Sequence, residues 1–130
     1  WRNNKKHMLN NVVVPISDKA RAGFIGGAAT KRVEYSHDLF TQEALNWIKM
    51  NKKNPFFLYL PLTIPHANNE GTRMFGDGAE VPEYGIYEKE NWSKQDKGQA
   101  AMISRMDRDV GEILDLLNEL KIKTYNLLPS

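Results

Sequence analysis

An almost uninterrupted apolar run over residues 56–62 constrains the fold of this chain more than any other feature of its sequence. A strand with so little polar alternation is typical of the interior of a parallel sheet that helices cover on both faces. The run leads into a turn that contains Pro65 and His66. Ligands of open α/β sheets bind just outside the carboxyl ends of such strands. The sequence therefore predicts an α/β fold with a central parallel strand, and it places His66 where a reactive site is expected.

Helix patterns lie on both sides of this run. Ser36 and Asp38 offer N-cap oxygens for a helix over about residues 39–50, which would precede the strand in a crossover unit. A second helix is predicted over residues 97–120, where apolar residues recur at spacings of three and four. Its predicted core face consists of Ile103, Met106, Val110, Ile113, Leu117 and Leu120.

The remaining segments carry weaker signals. Residues 12–16 could form a short strand, which its internal proline pushes toward a sheet edge or a loop. Gly26 and Gly27 belong to a glycine-rich stretch that matches no phosphate-binding motif, so it is interpreted as a plain turn. Residues 63–97 are rich in Gly, Asn, Glu and Pro. A long stretch of this kind after His66 predicts a functional loop without secondary structure of its own.

Composition and charge exclude several classes of function. The formal net charge is only +2 and the basic residues are dispersed, which argues against nucleic acid or an anionic membrane as a partner. No apolar run approaches the roughly 18 residues of a membrane-spanning helix. The chain has no cysteine, so disulfides and thiolate metal sites are excluded. Nothing in the sequence indicates a cellular compartment.

Several candidate site residues have two interpretations each. His66 could be a reactive group, or a buried histidine that a backbone carbonyl satisfies. His7 and His37 have no partner pattern and are predicted to lie on the surface. Asp107 and Asp109 point apart on a helix, so they are interpreted as part of a solvated face rather than a metal pair.

Three stretches, in this order, carry a family resemblance. They are YSHDLFTQEAL over residues 35–45, NPFFLYL over residues 54–60 together with His66 and Ala67, and GQAAMISRMDRDVG over residues 98–111. This combination resembles the sulfatase family, in the arylsulfatase A-like branch of the alkaline-phosphatase-like superfamily. The resemblance covers about residues 35–122, and residues 123–130 diverge from it. Residues 1–130 are accordingly identified as a partial sulfatase catalytic domain, a central fragment of an alkaline-phosphatase-like sandwich.

The resemblance implies hydrolysis of sulfate esters, with a sulfated small molecule or a sulfated carbohydrate as substrate. His66 would contact the sulfate ester, and Asn68 and Asn69 could contact the leaving group, although turn capping is the favoured interpretation of both asparagines. Complete relatives are commonly periplasmic, secreted or lysosomal.

The resemblance also implies two groups whose residues this chain lacks. One is a formylglycine nucleophile, made from Cys or Ser in a Cys/Ser-x-Pro-x-Arg element. Ser17 precedes Arg21 by four residues, but Lys19 stands where that element needs proline. The other is a calcium ion held by Asp and Asn side chains, which would be expected after the second helix, where the chain diverges. The fragment is therefore expected to be inactive alone.

Two other functions remain open from the sequence. A phosphatase or phosphodiesterase of the same superfamily could use a histidine at a strand end for phosphoryl oxygens. A non-catalytic helix-strand interaction module is the second alternative.

Overall fold

The structure is a computed structural model that describes residues 2–17 and 25–122. Its architecture is mixed α/β, with a two-stranded antiparallel sheet and three helices. The elements in chain order are β1 (Val12–Ser17), β2 (Ile25–Lys31), α1 (Ser36–Asn51), α2 (Asn69–Phe75), a 3₁₀ turn (Gly85–Tyr87) and α3 (Lys94–Glu119). None of the helices in the described ranges is both long and apolar enough to cross a membrane.

The sheet contains one predicted strand and one that the sequence interpretation missed. β1 confirms the strand predicted over residues 12–16, and β2 pairs with it in antiparallel register, with Val14 opposite Ala28. The predicted turn at Gly26 and Gly27 is wrong, because both residues lie inside β2. A Cβ atom on Gly26 would come within 2.4 Å of the Glu70 side chain. Glycine at this position therefore lets β2 pack closely against α2.

The two predicted helices are present and pack on each other, but the predicted N-cap of α1 at Ser36 or Asp38 is wrong, since Tyr35 occupies the cap position and no side chain makes a cap hydrogen bond there. α1 and α3 enclose an apolar cluster built on Ile48, Leu116 and Leu117. α3 begins after Ser93, whose hydroxyl oxygen accepts a hydrogen bond from the Asp96 backbone N–H at 3.1 Å. Such N-caps satisfy donors that the helix itself cannot pair.

The buried face of α3 agrees with the predicted one only in part: Leu117 is buried, and Met106, Ile113 and Leu120 pack against the apolar clusters. Ile103 and Val110 are exposed, whereas the buried positions are Gly98, Ala101, Met102, Asp109, Leu116 and Leu117. These positions follow the same helical spacing, but the stripe is rotated relative to the predicted face. The rotation places small and polar residues against the rest of the fold, as where Gly98 contacts Ala79.

The apolar run over residues 56–62 is not part of a sheet within the described residues. Phe56 and Leu58 pack against the cluster between α1 and α3, while Phe57 and Tyr59 are 84% and 76% exposed. Side chains therefore alternate between a covered and an open side, as they do along a strand. The expectation that both faces are covered is not met, and the parallel central strand remains a prediction.

Residues 63–97 are more ordered than the sequence interpretation expected. They contain the seven-residue helix α2 and the 3₁₀ turn. Asn68 caps the start of α2, and Gly76 ends it in the left-handed conformation with φ of 72°. Local capping chemistry therefore builds structure in a segment that has no long apolar pattern.

Candidate functional site

His66 lies in the turn after the apolar run, and its side chain is exposed. Its backbone N–H donates to the Thr63 carbonyl at 3.0 Å, and the Ile64–Pro65 peptide is cis. The ring Nδ1 lies 2.6 Å from the Ala67 carbonyl oxygen. Because a carbonyl oxygen only accepts, Nδ1 must be the donor in this pair. The turn therefore orients the ring and leaves Nε2 as the atom available to a ligand.

A cavity of about 180 Å³ opens beside His66. Its apolar wall includes Phe40, Ile64 and Met102. Its polar wall consists of Tyr35, Ser36, His37, Thr63, His66 and Asn68, together with the carboxylate of Glu80. Glu80 Oε1 accepts a hydrogen bond from Arg32 Nη2 at 2.7 Å, so this acid has a cationic partner. The cavity thus joins the end of the apolar run to the start of α1.

The two predicted asparagines occupy different places. Asn68 lines the cavity, and its Oδ1 accepts hydrogen bonds from the Glu70 and Gly71 backbone N–H groups at 3.0 and 3.2 Å. Asn69 is the first residue of α2 and is exposed outside the cavity wall. Asn68 therefore has the capping role that the sequence favoured, and contact of either residue with a substrate remains a prediction.

A buried polar cluster joins α1 to α3 beneath the cavity wall. His37 is 3% exposed and Asp109 is 2% exposed. Asp109 Oδ2 accepts a hydrogen bond from the Thr41 hydroxyl at 3.0 Å, and Oδ1 accepts one from Arg108 Nε at 2.7 Å. The same Oδ2 lies 2.8 Å from His37 Nε2, within ion-pair distance but out of line for a hydrogen bond. Both oxygens of this buried carboxyl group therefore accept hydrogen bonds.

The predicted positions of His37 and Asp109 are therefore wrong, since both side chains are buried between helices. A sequence signal for them exists in the helical spacing. His37 precedes the buried Ala44 by seven residues, and Asp109 precedes the buried Leu116 by seven. Residues seven apart lie on one face of a helix, so both polar side chains share the faces that pack together. Asp107, by contrast, is exposed as predicted.

Tyr35 brings a second buried polar group to the cavity. Its hydroxyl is buried and has no hydrogen-bond partner. Burial raises the pKa of the Tyr35 phenol above its ordinary value of 10.0. Arg105 lies over its ring, with Cζ 5.5 Å from the ring centroid, and donates two hydrogen bonds to Asp38, at 2.6 and 2.8 Å. This bidentate pair fixes the guanidinium, and its hydrogen bonds raise the pKa of Arg105.

The described residues do not fit the two groups that the family resemblance implies. Within residues 2–17 and 25–122, no three His, Asp or Glu side chains form a group that could hold a metal ion. A calcium ion requires six to eight oxygen ligands. Ser17 ends β1, and residues 18–24 after it lie outside the described part of the chain. No reaction step is therefore assigned here to calcium or to formylglycine.

Comparison with models of known protein families, with curated proteins and with solved structures finds no match in any of the three. What the site can do thus follows from its own residues. It combines an exposed, oriented imidazole at His66 with a second imidazole at His37 and a phenol at Tyr35, all on one cavity. Imidazoles and phenols donate hydrogen bonds and suit the binding of oxygen-rich ligands.

Proposed function

We propose that this chain is part of the catalytic domain of a sulfuric ester hydrolase of the arylsulfatase type, in which His66 contacts the sulfate ester of the substrate. The observation that carries this proposal is the exposed His66 ring on a polar cavity at the end of the apolar run. Its Nδ1 donates to the Ala67 carbonyl, so Nε2 is the ring nitrogen left for the substrate, and it donates a hydrogen bond when it carries a proton. Such a donor stabilises the negative charge that develops on the leaving oxygen.

The open side of residues 56–62 supports a larger parent domain. Phe57 and Tyr59 are large and exposed, and the run forms no ladder within the described residues. A strand with unpaired backbone groups gains stability when neighbouring strands cover it. We infer that further polypeptide supplies these strands, giving the alkaline-phosphatase-like sandwich with its parallel central strand. That polypeptide would also supply the nucleophile and the calcium ligands. The substrate would be a sulfated small molecule or a sulfated carbohydrate.

Binding of inorganic sulfate to the isotope-labelled chain tests the role of His66 directly. The ring signals of His66 should shift as sulfate is added, and chloride at matched ionic strength should not reproduce the shift. His66→Ala should abolish the response, whereas His7→Ala is the matched control, since His7 is exposed and is not part of the cavity wall. A sulfate response of His66 no larger than the chloride response would overturn the proposal.

Two further measurements separate the alternatives. The chain alone should show no turnover of an aryl sulfate in the presence of calcium. Turnover that disappears in His66→Ala would contradict the inference that other polypeptide completes the site. A phosphate response of His66 that clearly exceeds the sulfate response would favour a phosphatase or phosphodiesterase of the same superfamily.

A further inference from the structure

Two buried side chains on the same cavity have hydrogen-bonding groups without partners. Among the described residues, the Tyr35 hydroxyl has no hydrogen-bond partner, and neither ring nitrogen of His37 has one. Both residues line the cavity beside His66, and their rings are 6.3 Å apart between centroids. Leaving such groups unpaired is costly, and most buried polar atoms of folded proteins have a partner. An unpaired phenol and an unpaired imidazole at one cavity therefore point to a ligand that both can bind.

We propose that Tyr35 and His37 form a second subsite of the cavity, where the oxygens of a tetrahedral oxyanion accept hydrogen bonds from the Tyr35 hydroxyl and from Nδ1–H of His37. This inference rests on the proposed function, because it places the same anion in the same cavity. Tyr35 and His37, at the start of α1, would each add one contact with the anion to the contact that His66 makes. The cavity is far larger than the roughly 10–15 Å³ that one water molecule needs.

Asp109 is the positioning residue of this subsite. Its Oδ2 lies 2.8 Å from Nε2 of His37, which is within ion-pair distance although not in line for a hydrogen bond, and a carboxylate this close favours a proton over a lone pair on Nε2. An imidazolium has an N–H group on each nitrogen, so with Nε2–H beside the carboxylate, Nδ1–H is left for the ligand. Thr41 and Arg108 hold the carboxylate through hydrogen bonds of 3.0 and 2.7 Å.

The charges around the cavity favour an oxyanion over a cation. Asp109, the acid behind His37, is bound by Arg108. Glu80 is the acid of the cavity wall, and Arg32 binds it. Both acids are thus compensated by arginines, so neither leaves an unpaired negative charge that would repel an oxyanion.

The test is a titration of the labelled chain with sulfate and, in a separate arm, with inorganic phosphate, each against chloride at matched ionic strength. The ring signals of His37 and His66 are followed separately. The ring signals of both histidines should shift, and both titration curves should give the same apparent Kd for the anion. Tyr35→Phe removes one hydroxyl and should weaken binding by roughly 5- to 10-fold, the effect of one lost hydrogen bond. Asp109→Asn should weaken binding at least as much. Tyr59→Phe is the matched control, since Tyr59 is exposed and is not part of the cavity wall.

The outcomes distinguish this subsite from the proposed function. A shift of His66 alone overturns the subsite and leaves the proposed role of His66 standing. A shift of His37 alone supports the subsite and contradicts that role, and no shift of either ring overturns both. The thermal stability of Tyr35→Phe guards against a folding artefact. Removing an unpaired buried hydroxyl should leave the Tm unchanged or raise it, and a clear fall would show that the hydroxyl has a structural partner, against the proposal.

Discussion

Replacing Gly98 by alanine should destabilise the fold, although alanine is the better helix former. A Cβ atom at this position in α3 would lie 2.2 Å from the carbonyl oxygen of Ala79 and 2.9 Å from its Cβ. Ala79 is itself buried, and a backbone carbonyl cannot rotate away as a flexible side chain can. Overpacking costs about 1–3 kcal/mol, and a main-chain clash belongs at the upper end, about 3 kcal/mol. The gain in helix propensity is about 1 kcal/mol, so the net loss is about 2 kcal/mol.

Gly111 in the same helix is the matched control. Apart from the backbone of α3 itself, no heavy atom of the described residues lies within 4 Å of the Cβ position there, so Gly111→Ala should stabilise the fold by about 1 kcal/mol from helix propensity alone. Equilibrium unfolding in urea measures both variants, and their free energies of unfolding should differ by about 3 kcal/mol with equal m-values. If Gly98→Ala is as stable as the unchanged chain, the close packing of α3 against Ala79 is refuted.

Three further predictions concern the residues around the cavity. Asp109→Ala should lower the free energy of unfolding by about 3 kcal/mol or more, because it leaves the buried partners of the carboxylate unpaired. Asp109→Asn should lower it by less. Urea unfolding measures both variants, and equal losses would contradict the ionic role of Asp109. Asn68→Ala should lower the free energy of unfolding by about 1 kcal/mol and should speed hydrogen exchange of the Glu70 and Gly71 amides, which lose their cap. Unchanged exchange of these amides would show that the cap is dispensable. Burial raises the pKa of Tyr35, so the native state holds the phenol proton more tightly than the unfolded state does, and stability falls as the pH rises from 10.0 through the native pKa. Tyr35→Phe should therefore flatten this alkaline fall in stability. An unchanged fall in a urea series at increasing pH would argue against this reasoning.

The sequence predicted the parts of the fold that repeat regularly along the chain. The helical periods before and after the apolar run correspond to α1 and α3, and the short valine-rich segment corresponds to β1. β2 was missed because its glycines are typical of turns in isolation. Their place in a strand depends on antiparallel pairing with β1, where Gly27 lies opposite Pro15 and Gly26 opposite Ile16. The side chain of Glu70 occupies the space beside Gly26, which leaves no room for a larger residue.

The candidate site, like the fold, could be predicted from the sequence only in part. His66 could be singled out from the sequence because it follows directly from the apolar run. The structure places its exposed ring on a cavity wall, and its role in a reaction stays a prediction. His37 and Asp109 could not be recognised as partners, because they are far apart in the chain and each is unremarkable within its own helix.

The sequence by itself determined where the two long helices form, and that a histidine stands at the end of an apolar run. These properties depend on residues within one or two turns of each other, so contiguous residues encode them. Only the tertiary structure decided which faces of the helices are buried and which polar groups meet. Thr41 and Asp109 are 68 positions apart, and they bond only because α1 and α3 pack together. Whether a side chain is buried depends on both of the helices that pack over it, so the cavity and its unpaired donors arise from packing.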